Sequence, residues 1–402
     1  MKRSVVSLLI ASIALLALAC NGSGGTPPPT LGPEATVPPS PSATIGPAPL
    51  PTLAPTTGTL VYLRGNDLWV ASLDGGQALP PRAITTGSLG TVYAGFASRP
   101  DGGVDLYYLS QLSERRGPPD IRSVADFGLY RVALAEGTPE ELLRFSGRTS
   151  SASAAVSLDG EHLVYADDVG LALLHRASGE RTRLIEHETC AVDPEPHGRG
   201  CFDYRNPLWL PGRDVVMVRQ LLYEFAFLVL FNPFESPIDA TVITTGTGTG
   251  AWTTDSERMC TWTSFGLGDA LIRVERPATG ETTDIFAKLP LPDPGPSTYQ
   301  NANGCAWSND GRLAAGYTED LDVPGRIAIL DNTYAVVEEG DPIMDLSRVI
   351  AWLPDGSGMI FNRAPRIESQ RSLRSFPPGV FDLERGIVDL PFEADWVLGV
   401  IP

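Results

Sequence analysis

Trp307-Ser-Asn-Asp-Gly311 before Leu313-Ala-Ala-Gly-Tyr317, and Trp352-Leu-Pro-Asp-Gly356 before Met359-Ile-Phe361, are two copies of one phrase. A Trp or small apolar residue is followed by a tight turn and then by an apolar run. Looser copies are Trp209-Leu-Pro-Gly212, Trp252-Thr-Thr-Asp255, Val156-Ser-Leu-Asp159, Ser98-Arg-Pro-Asp101 and Trp396-Val-Leu-Gly399. Self-similarity at a fixed period decides an architecture before any local propensity does.

Each turn phrase precedes a short strand-forming run, such as Leu60–Leu63, Leu106–Leu109, Val215–Val218 or Met259–Trp262. A third run follows, as in Leu68–Leu73, Phe225–Phe231 and Ile327–Leu330, then a Gly or Asp turn and a brief fourth run such as Arg183–Ile185. Short runs of β-branched and aromatic residues between turn residues read as a hairpin meander. No stretch keeps a helical apolar period, so little helix is expected. Four strands in each of seven units, of roughly 45–55 residues, predict an all-β, seven-bladed β-propeller of four-stranded blades, in preference to six or eight blades. The unit starting at Thr59 lacks a first strand, and the segment Ala394–Ile401 is a first strand with nothing after it. Joining the two closes the ring and removes its open edges.

The phrase Trp307-Ser-Asn-Asp-Gly311, the pattern Leu68-x-Val70-x-x-Leu73-Asp-Gly-Gly76 and the short strand after it resemble the WD40-like repeats of TolB-type periplasmic propellers. The resemblance covers 59–402, with several copies degenerate. It implies a domain that binds partners; a minority of such propellers serve as enzymes or as lids on peptidases. The fixed place of Trp209, Trp252, Trp307, Trp352 and Trp396 before a turn favours packing between blades over sugar stacking.

Residues 1–19 read as an export signal, with Lys2 and Arg3 ahead of an apolar stretch and Ala17-Leu-Ala before Cys20. The segment resembles a bacterial lipoprotein signal, which implies acylation of Cys20, although Ala17 departs from the Leu usual in that position. Residues 20–58 form a Pro/Thr/Ser-rich tether whose composition cannot build a core. At ~3.1 Å per residue it would reach on the order of 100 Å. The expected location is extracytoplasmic, anchored to a bacterial cell membrane by the N-terminal lipid alone, with 59–402 as a monomeric propeller.

The chain has five Cys. If Cys20 carries lipid, Cys190, Cys201, Cys260 and Cys305 remain, an even set for an oxidising compartment. Cys190–Cys201 and Cys260–Cys305 are the expected disulfides. His187, Cys190, His197 and Cys201 also have the composition of a structural zinc site; outside the cytoplasm the disulfide is preferred.

The formal charge of −18 excludes the basic footprint that nucleic acid needs. After Lys2 the only lysine is Lys288, so lysine-nucleophile chemistry is not expected. No Gly-x-Ser-x-Gly elbow, phosphate loop or His-Glu-x-x-His occurs. The four His, at 162, 175, 187 and 197, fall in or just after one unit and cannot ring a channel. Glu319, Asp320 and Asp322 are an example of an acidic cluster of the ligand type that calcium takes. No cofactor and no catalysis are expected.

Long segments at 110–127, 186–206, 289–304 and 363–377 all belong to one propeller face, where irregular loops on a rigid scaffold carry function. Two of them are basic: Arg115, Arg116 and Arg122 in one, Arg363, Arg366, Arg371 and Arg374 in the other. Clustered guanidinium groups suit carboxylates or phosphates. The resulting expectation is a non-catalytic module binding a protein or an envelope polymer, with a carbohydrate-active lyase or hydrolase using carboxylates on the same face as the alternative.

Overall fold

The computed structural model describes residues 58–401, except 75–76, 79, 117–122, 136, 188–202, 223–224, 246–250, 264–270, 292–299, 320–322, 365, 370–371, 375–376, 391 and 393. The expected signal, Cys20 and the expected tether up to 57 lie outside the described residues.

Seven antiparallel sheets follow one another along the chain. Blade one begins with β1 (Gly58–Arg64), β2 (Asp67–Asp74) and β3 (Gln77–Ala78), and β4 (Arg82–Ala83) also pairs with β2. Blade two is β5 (Thr91–Ser98), β6 (Val104–Gln111), β7 (Val124–Ala133) and β8 (Glu140–Arg148). Blade three is β9 (Ser153–Val156), β10 (His162–Ala166), β11 (Gly170–His175) and β12 (Glu180–Glu186). Blade four is β13 (Asp203–Trp209), β14 (Val216–Leu222), β15 (Phe225–Phe231) and β16 (Thr241–Thr245). Blade five is β17 (Ala251–Trp252), β18 (Met259–Thr263), β19 (Leu271–Arg276) and β20 (Glu281–Asp284). Blade six is β21 (Asn301–Trp307), β22 (Leu313–Thr318), β23 (Arg326–Leu330) and β24 (Val336–Glu339). Blade seven has β25 (Leu346–Trp352), β26 (Gly358–Arg363), an inserted hairpin of β27 (Arg366–Ser369) and β28 (Ser372–Arg374), then β29 (Gly379–Asp382) and β30 (Gly386–Asp389). Finally β31 (Trp396–Ile401) pairs with β1, supplying the first strand of blade one. The expected closure is therefore the observed one.

The turn phrase works by local chemistry. In Ser157-Leu-Asp159, Thr253-Thr-Asp255 and Ser308-Asn-Asp310 the hydroxyl donates to the Asp carboxylate two residues on, and also bonds across the turn to the chain beyond it. The residue after each Asp then takes a positive φ, at Gly160, Ser256 and Gly311. Glycine meets that demand without a Cβ clash; Ser256 meets it while donating its hydroxyl to Pro211 O, 2.7 Å away in the turn of the preceding blade.

Seven apolar clusters fill the seven gaps between consecutive blades, and the core is a ring of seams. The Trp residues stitch these seams. Trp352 Nε1 donates to Ala306 O at 3.0 Å and Trp209 Nε1 to Ala155 O at 3.1 Å. Each acceptor is on the first strand of the preceding blade. Arg312 lies 4.8 Å over the Trp352 ring and Arg258 lies 4.6 Å over Trp307, each reaching from the turn of the blade before. Trp396 departs from the repeat. It pairs with Leu63, at the start of its strand, whereas Trp352 pairs with Met359 at the end of its own. Ile401 occupies the place that the repeat gives to Trp in blades four to seven.

Closure has a second fastening that lies outside the strand ladder. Asn362 of blade seven is fully buried; its amide donates to Val397 O and its carbonyl accepts from Val397 N–H, both at 2.9 Å. A side chain there imitates a neighbouring strand.

Candidate functional site

The links between first and second strands, and between third and fourth, share one face; the remaining connections share the other. The first face is tight, except for residues 232–240 of blade four, which include the exposed Phe234. The second, loop-bearing face holds the long connections. Gly58 enters β1 on the turn face, since Thr59 pairs with Ile401 at that end of blade one.

On the loop face Arg115 is exposed. Arg116 is tied down: its backbone exchanges two hydrogen bonds with Val124 and its Nη2 lies 2.6 Å from Asp126 Oδ1. Hydrogen bonding from Ser146 and the charge of Arg116 hold the Asp126 carboxyl below its ordinary range. Arg122 lies outside the described residues. Arg363 is structural, with its side chain 11% exposed, Nη1 bonded to Asp389 Oδ1 at 2.7 Å and to Pro377 O at 3.0 Å, and its guanidinium 5.2 Å from the Phe361 ring. Arg366 and Arg374 are register partners in the inserted hairpin, which the sequence reading treated as irregular loop. Arg371 lies outside the described residues.

The Cys260–Cys305 disulfide is present, with a Cα–Cα distance of 6.4 Å, and it joins blade five to blade six. Cys190, His197 and Cys201 lie outside the described residues. His187 is buried, and both ring nitrogens are engaged. Nε2 stands 3.1 Å from Asp167 O, while Nδ1 accepts from Tyr204 N–H at 3.3 Å and lies 3.2 Å from Asp203 Oδ1. Burial lowers its pKa, against the opposing pull of Asp203, so the imidazole is neutral at pH 7. As a zinc ligand His187 would have to give up these bonds. Glu319 is described; Asp320 and Asp322 lie outside the described residues. Among the described residues no group of three or more His, Cys, Asp or Glu is arranged to hold a metal, and no helix is long and apolar enough to cross a membrane.

Three half-buried arginines on inner strands went unnoticed in the sequence. Arg348 of β25 passes over Gly304 of blade six and stacks its guanidinium 4.9 Å from the Trp262 ring of blade five. Gly304 has φ +91°, and a Cβ there would stand 3.3 Å from Arg348 Cγ, so the glycine makes room for the crossing. Arg205 of β13 and Arg219 of β14 are directly opposed register partners. Arg205 Nη1 donates to Ser150 O at 3.1 Å. Burial pushes all three guanidinium pKa values down, and Arg219 is lowered further by the charge of Arg205. The pairing that places two arginines opposite each other becomes visible only once strand register is known.

No family model and no curated protein matches this chain. Solved structures do. A candidate 6-phosphogluconolactonase from Bacteroides fragilis is 14% identical, with 86% of this chain and 97% of that one covered, at a TM-score of 0.52. An oligogalacturonate lyase from Vibrio parahaemolyticus is 11% identical, with 84% and 86% covered, at 0.51. TolB from Acinetobacter baumannii is 15% identical, with 68% of this chain and 61% of that one covered, at 0.43; this chain spans less than two thirds of its length. At these identities the likeness is one of fold, a β-propeller.

Proposed function

We propose that this chain is a lipid-anchored, extracytoplasmic propeller of TolB type. It acts as a non-catalytic recognition module and presents its loop-bearing face to a protein or an envelope polymer. The observation that carries the reading is the division of the two faces. Apart from residues 232–240, the long connections lie on one side, together with the inserted hairpin β27–β28 and the exposed Arg115. Gly58, where the tether joins the ring, lies on the other. The alternative is a carbohydrate-active enzyme working through carboxylates on the loop-bearing face.

The test uses the full chain in its native membrane. Cys20→Ser is expected to move the protein to the soluble fraction. For recognition, the purified full chain is immobilised and offered envelope protein and polysaccharide fractions separately. Saturable capture by one fraction is expected, reduced at least tenfold by Arg115→Glu with Arg366→Glu and unaffected by Leu158→Glu on the turn face. Turnover of an acidic polysaccharide without stable capture would establish the enzyme reading instead.

A further inference from the structure

We propose that Arg205 and Arg219 together form a binding site for one oxyanion group, a carboxylate or a phosphate, on the loop-bearing half of blade four. The proposal rests on the reading of that face as a recognition surface and names the chemistry it recognises.

The first observation is the company that the arginines of this acidic chain keep. Arg99, Arg116, Arg131, Arg144, Arg148, Arg176, Arg183, Arg276, Arg312, Arg326 and Arg363 each lie within ion-pair distance of a carboxylate. Arg219 has no carboxylate and no hydrogen-bond acceptor among the described residues, and the charge that acts on it is that of Arg205. The Nε of each residue is buried without an acceptor. A buried donor left unmet is costly unless something external meets it.

The second observation is geometric. Register partners in an antiparallel pair hold their Cβ atoms about 5 Å apart on one face of the sheet, so two guanidinium groups there can converge on a single small anion. Strand alternation puts Arg219 on the same face as Met217, which packs with Met259 and Trp252 at the seam between blades four and five. That seam has the smallest cluster of fully buried apolar residues in the ring: Leu210, Met217, Leu228 and Met259 among the described residues. Two like charges opposed on one face of a sheet are poorly explained as a stabilising device. An oxyanion between them would replace the repulsion with charge-assisted hydrogen bonds.

A purely structural role for Arg219, with its stem covering apolar surface and its head in water, makes the opposite prediction about stability. The experiment is thermal unfolding of the full chain in inorganic phosphate, in acetate and in chloride at matched ionic strength. For the wild type, phosphate or acetate is expected to raise the Tm by about 2 °C over chloride, and the responding anion tells phosphate from carboxylate. Arg219→Gln is expected to unfold in chloride at an equal or higher temperature than wild type. Its anion response is expected to vanish, with affinity at least tenfold weaker by calorimetry. Arg144→Gln, on an exposed ion pair, should keep the full response. No anion-specific shift in wild type, or an undiminished shift in Arg219→Gln, overturns the proposal. Envelope capture by the loop face is scored separately, so either idea can fail alone.

Discussion

His187 shows how one residue ties a seam to the acidity of its surroundings. Its ring lies between the Asp167 carbonyl and the start of β13, and burial keeps it neutral. The unfolded chain binds a proton there near pH 6.5, and the folded chain binds it only at lower pH. Stability from this group is therefore full above about pH 6.5 and is lost as pH falls below it. Asp167 behaves in the same direction at lower pH. Burial alone would raise its carboxyl, but the two-pronged contact with Arg183, at 2.7 and 2.8 Å, and the N–H groups of Gly170 and Val169 outweigh it. Its contribution is present above its unfolded value of about 3.9 and fades as pH drops through the folded one. Urea unfolding at pH 7.5 and pH 5.5 checks the first effect. Wild type should lose stability between them, and His187→Gln, less stable at pH 7.5, should show a flatter dependence. Equal slopes would remove His187 as the cause. The sequence singled out this residue for its zinc-like spacing. Spacing carries no information about ring nitrogens already engaged by backbone atoms from two other segments.

At the scale of elements, much was legible because the turn phrase is chemically self-contained. A hydroxyl, a carboxylate two residues on and a residue free to take positive φ build the same turn wherever they occur, so blade count and strand order could be read from local residues. Trp396 was misplaced because an indole before a glycine looks the same at either end of a strand; only pairing with Leu63 separates the ends. Asn362 was invisible for a related reason, since its partner Val397 comes from the closing strand. The Arg205–Arg219 pair needed the β13–β14 register, and the bulge between Arg205 and Leu208 breaks the alternation that would have announced it. Of the two expected disulfides, Cys260–Cys305 is present, its partners lying on neighbouring blades, while Cys190 and Cys201 lie outside the described residues. The Cys260–Cys305 bridge closes a separation of 45 residues between buried positions. A loop of that size restricts the unfolded chain by about 4 kcal/mol in the entropic view, with engineered and native examples spreading around 2–4. Cys260→Ser with Cys305→Ser should lower unfolding free energy by about 2–4 kcal/mol in denaturant titration, and reduction of wild type should reproduce the loss.

For the whole molecule, stability is a property of seams more than of blades. Each sheet is a complete hydrogen-bonded ladder, yet its faces are covered only by its neighbours. Among the described residues, the seam between blades four and five combines the smallest apolar cluster with the opposed arginines, whereas blades five and six are pinned by a disulfide. Local opening follows such differences. Hydrogen exchange should therefore reach amides of 216–222 and 251–252 before those of 301–307 and 313–318. Uniform exchange around the ring would show that seam packing does not govern opening.

Closure by β31 also sets an order of events in time. In a chain emerging N-terminus first, β1 waits with one edge unsatisfied while six other blades are made, because its partner is the last strand to appear. Asn362 stands ready one blade earlier, its amide prepared for a backbone not yet present. Any interruption of synthesis before Trp396 leaves an arc in place of a ring, with an adhesive edge at one end and a vacant amide clasp near the other. The matching surfaces of two such arcs are on different molecules, so quality control has a short interval in which to act.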